Sequence, residues 1–137
     1  MTPDQIALVQ QSFRQVEATQ EATAKLFYER LWQVDPSTAP LFARSDMALQ
    51  GHKLMAAIAL MVNGLSRPET VIPAAQDMAR RHVAYGVTRA HYASVGAALL
   101  RTLRQSLGER FTPEAEAAWT AAYELLSAIM IEAAYNG

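Results

Sequence analysis

Cysteine is absent from the 137 residues, which excludes disulfides, thiolate metal sites and thiol catalysis. No charge of one sign dominates: twelve Lys and Arg stand against thirteen Asp and Glu, a formal net charge of -1. The basic field that drives nucleic-acid binding is therefore missing, and no nucleic-acid partner is expected. No run of about 18 apolar residues occurs, so no membrane insertion is expected. The start Met1-Thr2-Pro3-Asp4-Gln5 lacks the charged stretch and apolar run of a secretory signal, and a cytoplasmic protein is the expectation. Glycine and proline are sparse at six each, and alternating β-branched runs are almost lacking, which argues against a sheet. Repeats, linkers, zinc-type His/Glu spacings, Gly-rich phosphate loops, nucleophile elbows and close carboxylate pairs are also missing. Catalysis by side chains alone has weak support.

What is present is a chain 51% hydrophobic and 18% charged, the size of one compact all-α domain spanning residues 1–137. Thr2-Pro3-Asp4-Gln5 has capping-box spacing and predicts a first helix from Pro3 to Glu17. A second starts near Thr19 and stops at Asp35-Pro36, where a new cap and proline open a short turn closed by Pro40-Leu41-Phe42. From Asp46 the stripe Met47, Gln50, Leu54, Ala57, Ile58, Met61 and Leu65 predicts a long amphipathic helix, broken at Ser66-Arg67-Pro68. A shorter helix is expected from Glu69 to Arg81, with Pro73 in or near its first turn and Tyr85-Gly86 as its stop. Another runs from Thr88 or Arg89 to Leu107-Gly108, and Thr112-Pro113-Glu114 caps the last.

Polar residues on apolar stripes carry the functional information, because buried polar groups need a partner or a purpose. His82 lies one turn beyond Met78 and Ala79, Gln50 one turn before Leu54, and Tyr28 between Ala24 and Leu31. By spacing alone, His82 is either a hydrogen-bonded core residue or a ligand. His82 and His91 are nine residues apart with Gly86 between, so they do not form a metal pair. His52 falls on the opposite side of its helix from Gln50 and faces water or a rim. A single buried imidazole can still hold a metal if a prosthetic group supplies the other ligands, and haem is the common group with that demand.

These residues sit within a larger pattern: Phe27-Tyr28, Asp35-Pro36, Pro40-Leu41-Phe42, Gln50 to Met55, Arg81 to Val87, His91 to Gly96, and Ala118-Trp119. In order and spacing the pattern resembles the bacterial single-domain haemoglobins, and is similar to the globin domain of flavohaemoglobins and more distantly to neuroglobin. The resemblance implies a three-over-three helical globin fold around one haem b, iron protoporphyrin IX, with His82 as the proximal iron ligand. It makes Phe42 the ring wedging the haem, Tyr28 and Gln50 the distal donors to bound gas, and Leu54 the apolar residue over the iron. Val87 and Val95 become haem contacts, Met78 the carbonyl that orients His82, and Tyr85 and Tyr92 further pocket residues. Lys53 and Arg81 are placed either to meet the propionates or as solvated helix faces. In these families Tyr92 joins a proximal network with a glutamate of the last helix; that position falls on Ala134, and Glu132 lies two residues off. The implied function is reversible binding of O2, with CO, nitric oxide or sulfide as further ligands. Alternatives are nitric oxide dioxygenation or peroxidase-like turnover served by an external reductase, since no flavin or nicotinamide domain is present, and gas or redox sensing. A monomer or homodimer is expected.

Overall fold

A computed structural model of the chain describes residues 1–136. Six α-helices account for most of it: α1 (Pro3–Glu17), α2 (Gln20–Val34), α3 (Met47–Gly64), α4 (Pro68–Ala84), α5 (His91–Leu107) and α6 (Pro113–Ile131). A 3-10 segment, Pro36–Phe42, joins α2 to α3, and a π turn, Glu132–Asn136, continues α6. Among the described residues there is no strand, and no helix is long and apolar enough to cross a membrane.

The helix starts follow from local chemistry. The capping box of α1 is complete: Thr2 Oγ1 accepts from the Gln5 amide and Gln5 Oε1 from the Thr2 amide, both at 3.1 Å. Asp46 Oδ1 accepts from the amides of Ala48 and Leu49 at the head of α3, and Thr112 Oγ1 from that of Ala115 at the head of α6. Each satisfies amides that the first helical turn leaves without a partner. Two boundaries differ from expectation. α4 is longer than Glu69 to Arg81, and Pro73 lies inside it, in the second turn. Proline is tolerated there because it is exposed and close to the helix start, so the carbonyl deprived of its bond, that of Glu69, meets solvent. α5 begins at His91, later than Thr88 or Arg89, because His91 Nδ1 accepts from the Thr88 amide at 3.0 Å and ties residues 88–90 into a turn.

The largest core cluster joins α1 to α6, with Val9, Phe13 and Val16 against Ala118, Trp119 and Ala122. Its one buried indole N–H is satisfied, as Trp119 Nε1 donates to Ser12 Oγ at 2.8 Å. A second cluster is built from Phe27, Tyr28 and Leu31 of α2 and Ala98 of α5, with Phe42, Leu54 and Val95 packed on it. Leu54 touches both clusters. α2 and α3 cross in close contact: a Cβ on Gly51 would stand 3.1 Å from the Cβ of Ala24, tight enough that the neighbour would have to give way slightly.

Candidate functional site

α2 and α3 bring Tyr28 and Gln50 together. Gln50 Nε2 donates to the Tyr28 hydroxyl oxygen at 3.2 Å, which leaves the phenolic proton with no acceptor among the described residues. Tyr28 is 5% exposed, and burial pushes its phenol above the ordinary value of 10, against the opposing pull of the Gln50 hydrogen bond. The group therefore stays protonated and able to donate. Phe42 meets the Tyr28 ring edge-on at 5.1 Å and lies 6.3 Å from Trp32, while Leu54 and Val95 complete this apolar group.

The second group lies at the end of α4. His82 Nδ1 is 2.8 Å from the Met78 carbonyl, one turn earlier on α4. That bond fixes the proton on Nδ1 and leaves the lone pair on Nε2, which has no partner among the described residues. Burial, the largest cause, lowers the His82 pKa below 6.5; the Met78 bond works against it and Arg81 with it. The imidazole is thus neutral at physiological pH, the form that ligates metal. Gly86, at φ +92°, ends the helix, and the Val87 amide reaches back to the His82 carbonyl at 3.0 Å in a Schellman-type closure. Tyr85 packs 6.3 Å from the His82 ring but is 68% exposed.

The two groups are joined at their rim. Leu41, beside Phe42, lies against Gly86, where a Cβ would stand 3.3 Å from Leu41 Cδ2. Asp35 accepts from Ser94 of α5 at 2.7 Å, and Ser37 Oγ lies 3.3 Å from His91 Nε2. These bonds pin the Pro36–Phe42 turn onto α5, the helix that also carries Tyr92 and Val95. Spacing singled out none of them, because Asp35 is 59 residues from Ser94.

Tyr92 is buried, and its hydroxyl has no partner among the described residues; its pKa is pushed up to about 12, by burial first and then by Tyr135. The π turn aims Tyr135 at this ring, edge-on at 6.5 Å, with its hydroxyl donating to the Val87 carbonyl at 2.7 Å. Tyr123 donates to the Tyr92 carbonyl at 2.5 Å. Neither was legible as a site residue: Tyr123 reads as an ordinary core position on α6, and Tyr135 lies within the π turn, where an α-helical count misplaces it. Lys53 is exposed, as is Arg81, which pairs with Asp77 at 3.1 Å on the helix surface. His52 is exposed, on the side of α3 that the spacing indicated.

Among the described residues no three His, Asp or Glu gather to hold a metal ion. One neutral imidazole with a free Nε2, facing no second protein ligand, fits a metal whose remaining ligands come with a planar prosthetic group.

Comparison with known proteins points the same way. A profile of the globin family matches residues 25–130. The chain is 33% identical over 133 residues to a flavohemoprotein of Bordetella parapertussis, covering 96% of this chain but 33% of that protein. It thus spans about a third of the length of such relatives. It is also 30% identical over 146 residues to leghemoglobin-1 of Lupinus luteus, covering 95% of this chain and 93% of the plant protein. In fold it matches a bacterial globin from Campylobacter jejuni at a TM-score of 0.86 and 23% identity, over 98% of this chain and 97% of the other. The helical order, the orientation of His82 and these matches together make the chain a member of the globin family.

Proposed function

We propose that this chain is a haem-binding gas carrier, store or scavenger in which His82 is the proximal ligand, acting as one unit over residues 1–137 in the cytoplasm. The observation that carries this reading is the His82 imidazole, neutral, held through Nδ1 by the Met78 carbonyl, with Nε2 free. His82 Nε2 would hold haem b there, and the haem would supply an iron able to bind a diatomic gas.

The chain's own residues do the rest. Phe42 and Leu54 keep the distal side apolar, and Val87, Val95 and Tyr92 shape the pocket walls. Tyr28 donates its unused phenolic proton to the gas, and Gln50 acts on Tyr28 by donating to its oxygen and holding the ring in place. In a dry pocket a donor to a charged acceptor contributes about 1.5–3 kcal/mol, so slow O2 release is expected. Lys53 and Arg81 stand as solvent-facing cations near the rim, where propionates would meet them.

The orphaned Tyr92 hydroxyl favours gas binding over redox turnover. Ala134 stands where the family resemblance expects a glutamate, the Tyr92 hydroxyl has no hydrogen-bond partner among the described residues, and Tyr135 packs against its ring. Stoichiometric loss of the O2 complex on adding nitric oxide is expected; sustained turnover with an external reductase would establish the dioxygenase alternative. The primary test is spectroscopic. Protein expressed with adequate haem should show a strong Soret band that His82→Ala abolishes, and protein that takes up no haem would overturn the proposal.

A further inference from the structure

His91 opens α5, and its two ring nitrogens do different work. Nδ1 lies 3.0 Å from the Thr88 amide. A backbone N–H only donates, so Nδ1 keeps its lone pair and the neutral ring carries its proton on Nε2. Nε2 lies 3.3 Å from Ser37 Oγ, which donates to Asp35 Oδ1 at 2.6 Å, while Ser94 donates to Asp35 Oδ2 at 2.7 Å. One placement of protons, each pointing toward Asp35, satisfies all of these bonds. His82 holds the opposite tautomer, with its proton on Nδ1.

The bond to Thr88 bears on the segment that follows His82. Thr88 comes directly after Val87, whose amide donates to the His82 carbonyl and whose own carbonyl accepts from Tyr135. Ser37 belongs to the turn that carries Leu41 and Phe42, and Leu41 lies against Gly86. Thr88-Arg89-Ala90-His91 repeats the spacing of Thr2-Pro3-Asp4-Gln5, where Gln5 Oε1 accepts from the Thr2 amide at 3.1 Å. A glutamine accepts at every pH. An imidazole accepts only while neutral, and histidine is the side chain whose charge changes between about pH 5 and 8. Protonation places an N–H on Nδ1, donor against donor with Thr88, whereas the Nε2 proton still serves Ser37. The charged groups around His91 are Asp35, reached through Ser37, and Arg89, two residues back on its own turn; α5 brings the neutral Ser94 to the same carboxylate. Asp35 stays ionised through that range, held below its ordinary 3.8 by Ser37 first and Ser94 next. We infer that His91 is a positioning residue which, in its neutral form alone, clamps the segment after His82 to the Phe42 turn, and that acid opens the clamp and loosens the hold on haem. The effect on haem rests on the function proposed above.

Two measurements test the clamp. The first is nitrogen-15 NMR of the whole chain, with His91 identified by the loss of its signals in His91→Gln. At about pH 8 the ring should show the Nε2–H tautomer, and the Thr88 amide should shift and lose protection from exchange as the ring is protonated. A proton on Nδ1 at that pH, or a Thr88 amide indifferent to the titration, overturns the clamp whatever the haem content. The second is the rate of haem loss to an excess of a haem-scavenging apoglobin. Relative to His91→Gln, which accepts from Thr88 at every pH, the parent should lose haem at an equal rate near about pH 8 and about threefold or more faster near about pH 5.5. His91→Leu, with no acceptor, should lose it about threefold or more faster at both. The ratio cancels the titration of His82, which all three chains share. Equal rates for the parent and His91→Gln at the lower pH, or His91→Gln as fast as His91→Leu, would overturn the clamp. A chain that takes up no haem overturns the proposed function, and the NMR titration still decides the clamp.

Discussion

Replacing Tyr28 by phenylalanine removes one hydroxyl from a residue 5% exposed and changes almost no packing, since the ring contacts with Phe27, Trp32 and Phe42 remain. Two consequences follow. The gas loses the donor whose proton has no other acceptor, which is worth about 1.5–3 kcal/mol for a charged acceptor. At about 1.4 kcal/mol per factor of ten, O2 dissociation should quicken by roughly tenfold to a hundredfold. Gln50 also loses the oxygen to which its Nε2 donates at 3.2 Å, which frees that amide to turn toward the gas and offset part of the loss. The double variant with Gln50→Leu should therefore release O2 faster than the two single effects combined would give, the non-additivity expected of residues sharing one hydrogen bond. Stopped-flow displacement of O2 by excess CO measures the rates directly. An O2 dissociation rate in Tyr28→Phe equal to that of the parent would refute the distal-donor assignment, and additive effects in the double variant would refute the coupling through Gln50.

Other outcomes follow from the same geometry. His82→Gly should bind haem weakly and recover a five-coordinate ferrous spectrum when imidazole is added, because the lost group is a ligand on an otherwise intact helix; failure of imidazole to restore it would count against His82 as the proximal residue. Ser12→Ala removes the acceptor of the buried Trp119 indole and should cost about 1–3 kcal/mol in urea unfolding, with little effect on haem uptake. Gly96→Ala places a Cβ 2.7 Å from Cε2 of Tyr123, the ring whose hydroxyl serves the Tyr92 carbonyl, and should destabilise by about 1–3 kcal/mol. Asp35 is held below its ordinary 3.8 by Ser37 first and by Ser94 next. Its contribution is complete above that ordinary value and is lost as pH falls through the lower folded value, so Asp35→Asn should flatten the acid limb of a stability–pH profile.

The helices were legible wherever a local signal sets them. The α1 capping box, the Asp and Thr caps, and the glycine stops at Gly86 and Gly108 act within a turn or two, so their chemistry is written in consecutive residues. The same holds for His82 and Met78, whose hydrogen bond spans one helical turn. Tyr28 and Gln50 were recognisable as polar residues on apolar faces, yet their pairing needed α2 and α3 to cross at Ala24 and Gly51.

Three features depended on contacts distant in the chain. Whether Pro73 breaks α4 turns on the side of the helix it occupies, and it lies on the solvent side. The end of α6 changes register in a π turn, which brings Tyr135 against the ring of Tyr92. The cleft of about 480 Å³ between α2 and α3, lined by Tyr28, Trp32, Ala48 and Met55 among others, lies beside the close contact of Gly51 with Ala24. Hydrogen bonds within a turn cost little chain entropy and are specified residue by residue, which is why the sequence alone reveals the helices, the globin pattern and the His82–Met78 contact. Contacts such as Ser94 with Asp35, or Tyr135 with Val87, form only after distant segments have packed. Tertiary packing therefore decides which hydroxyls find a partner and which remain without one.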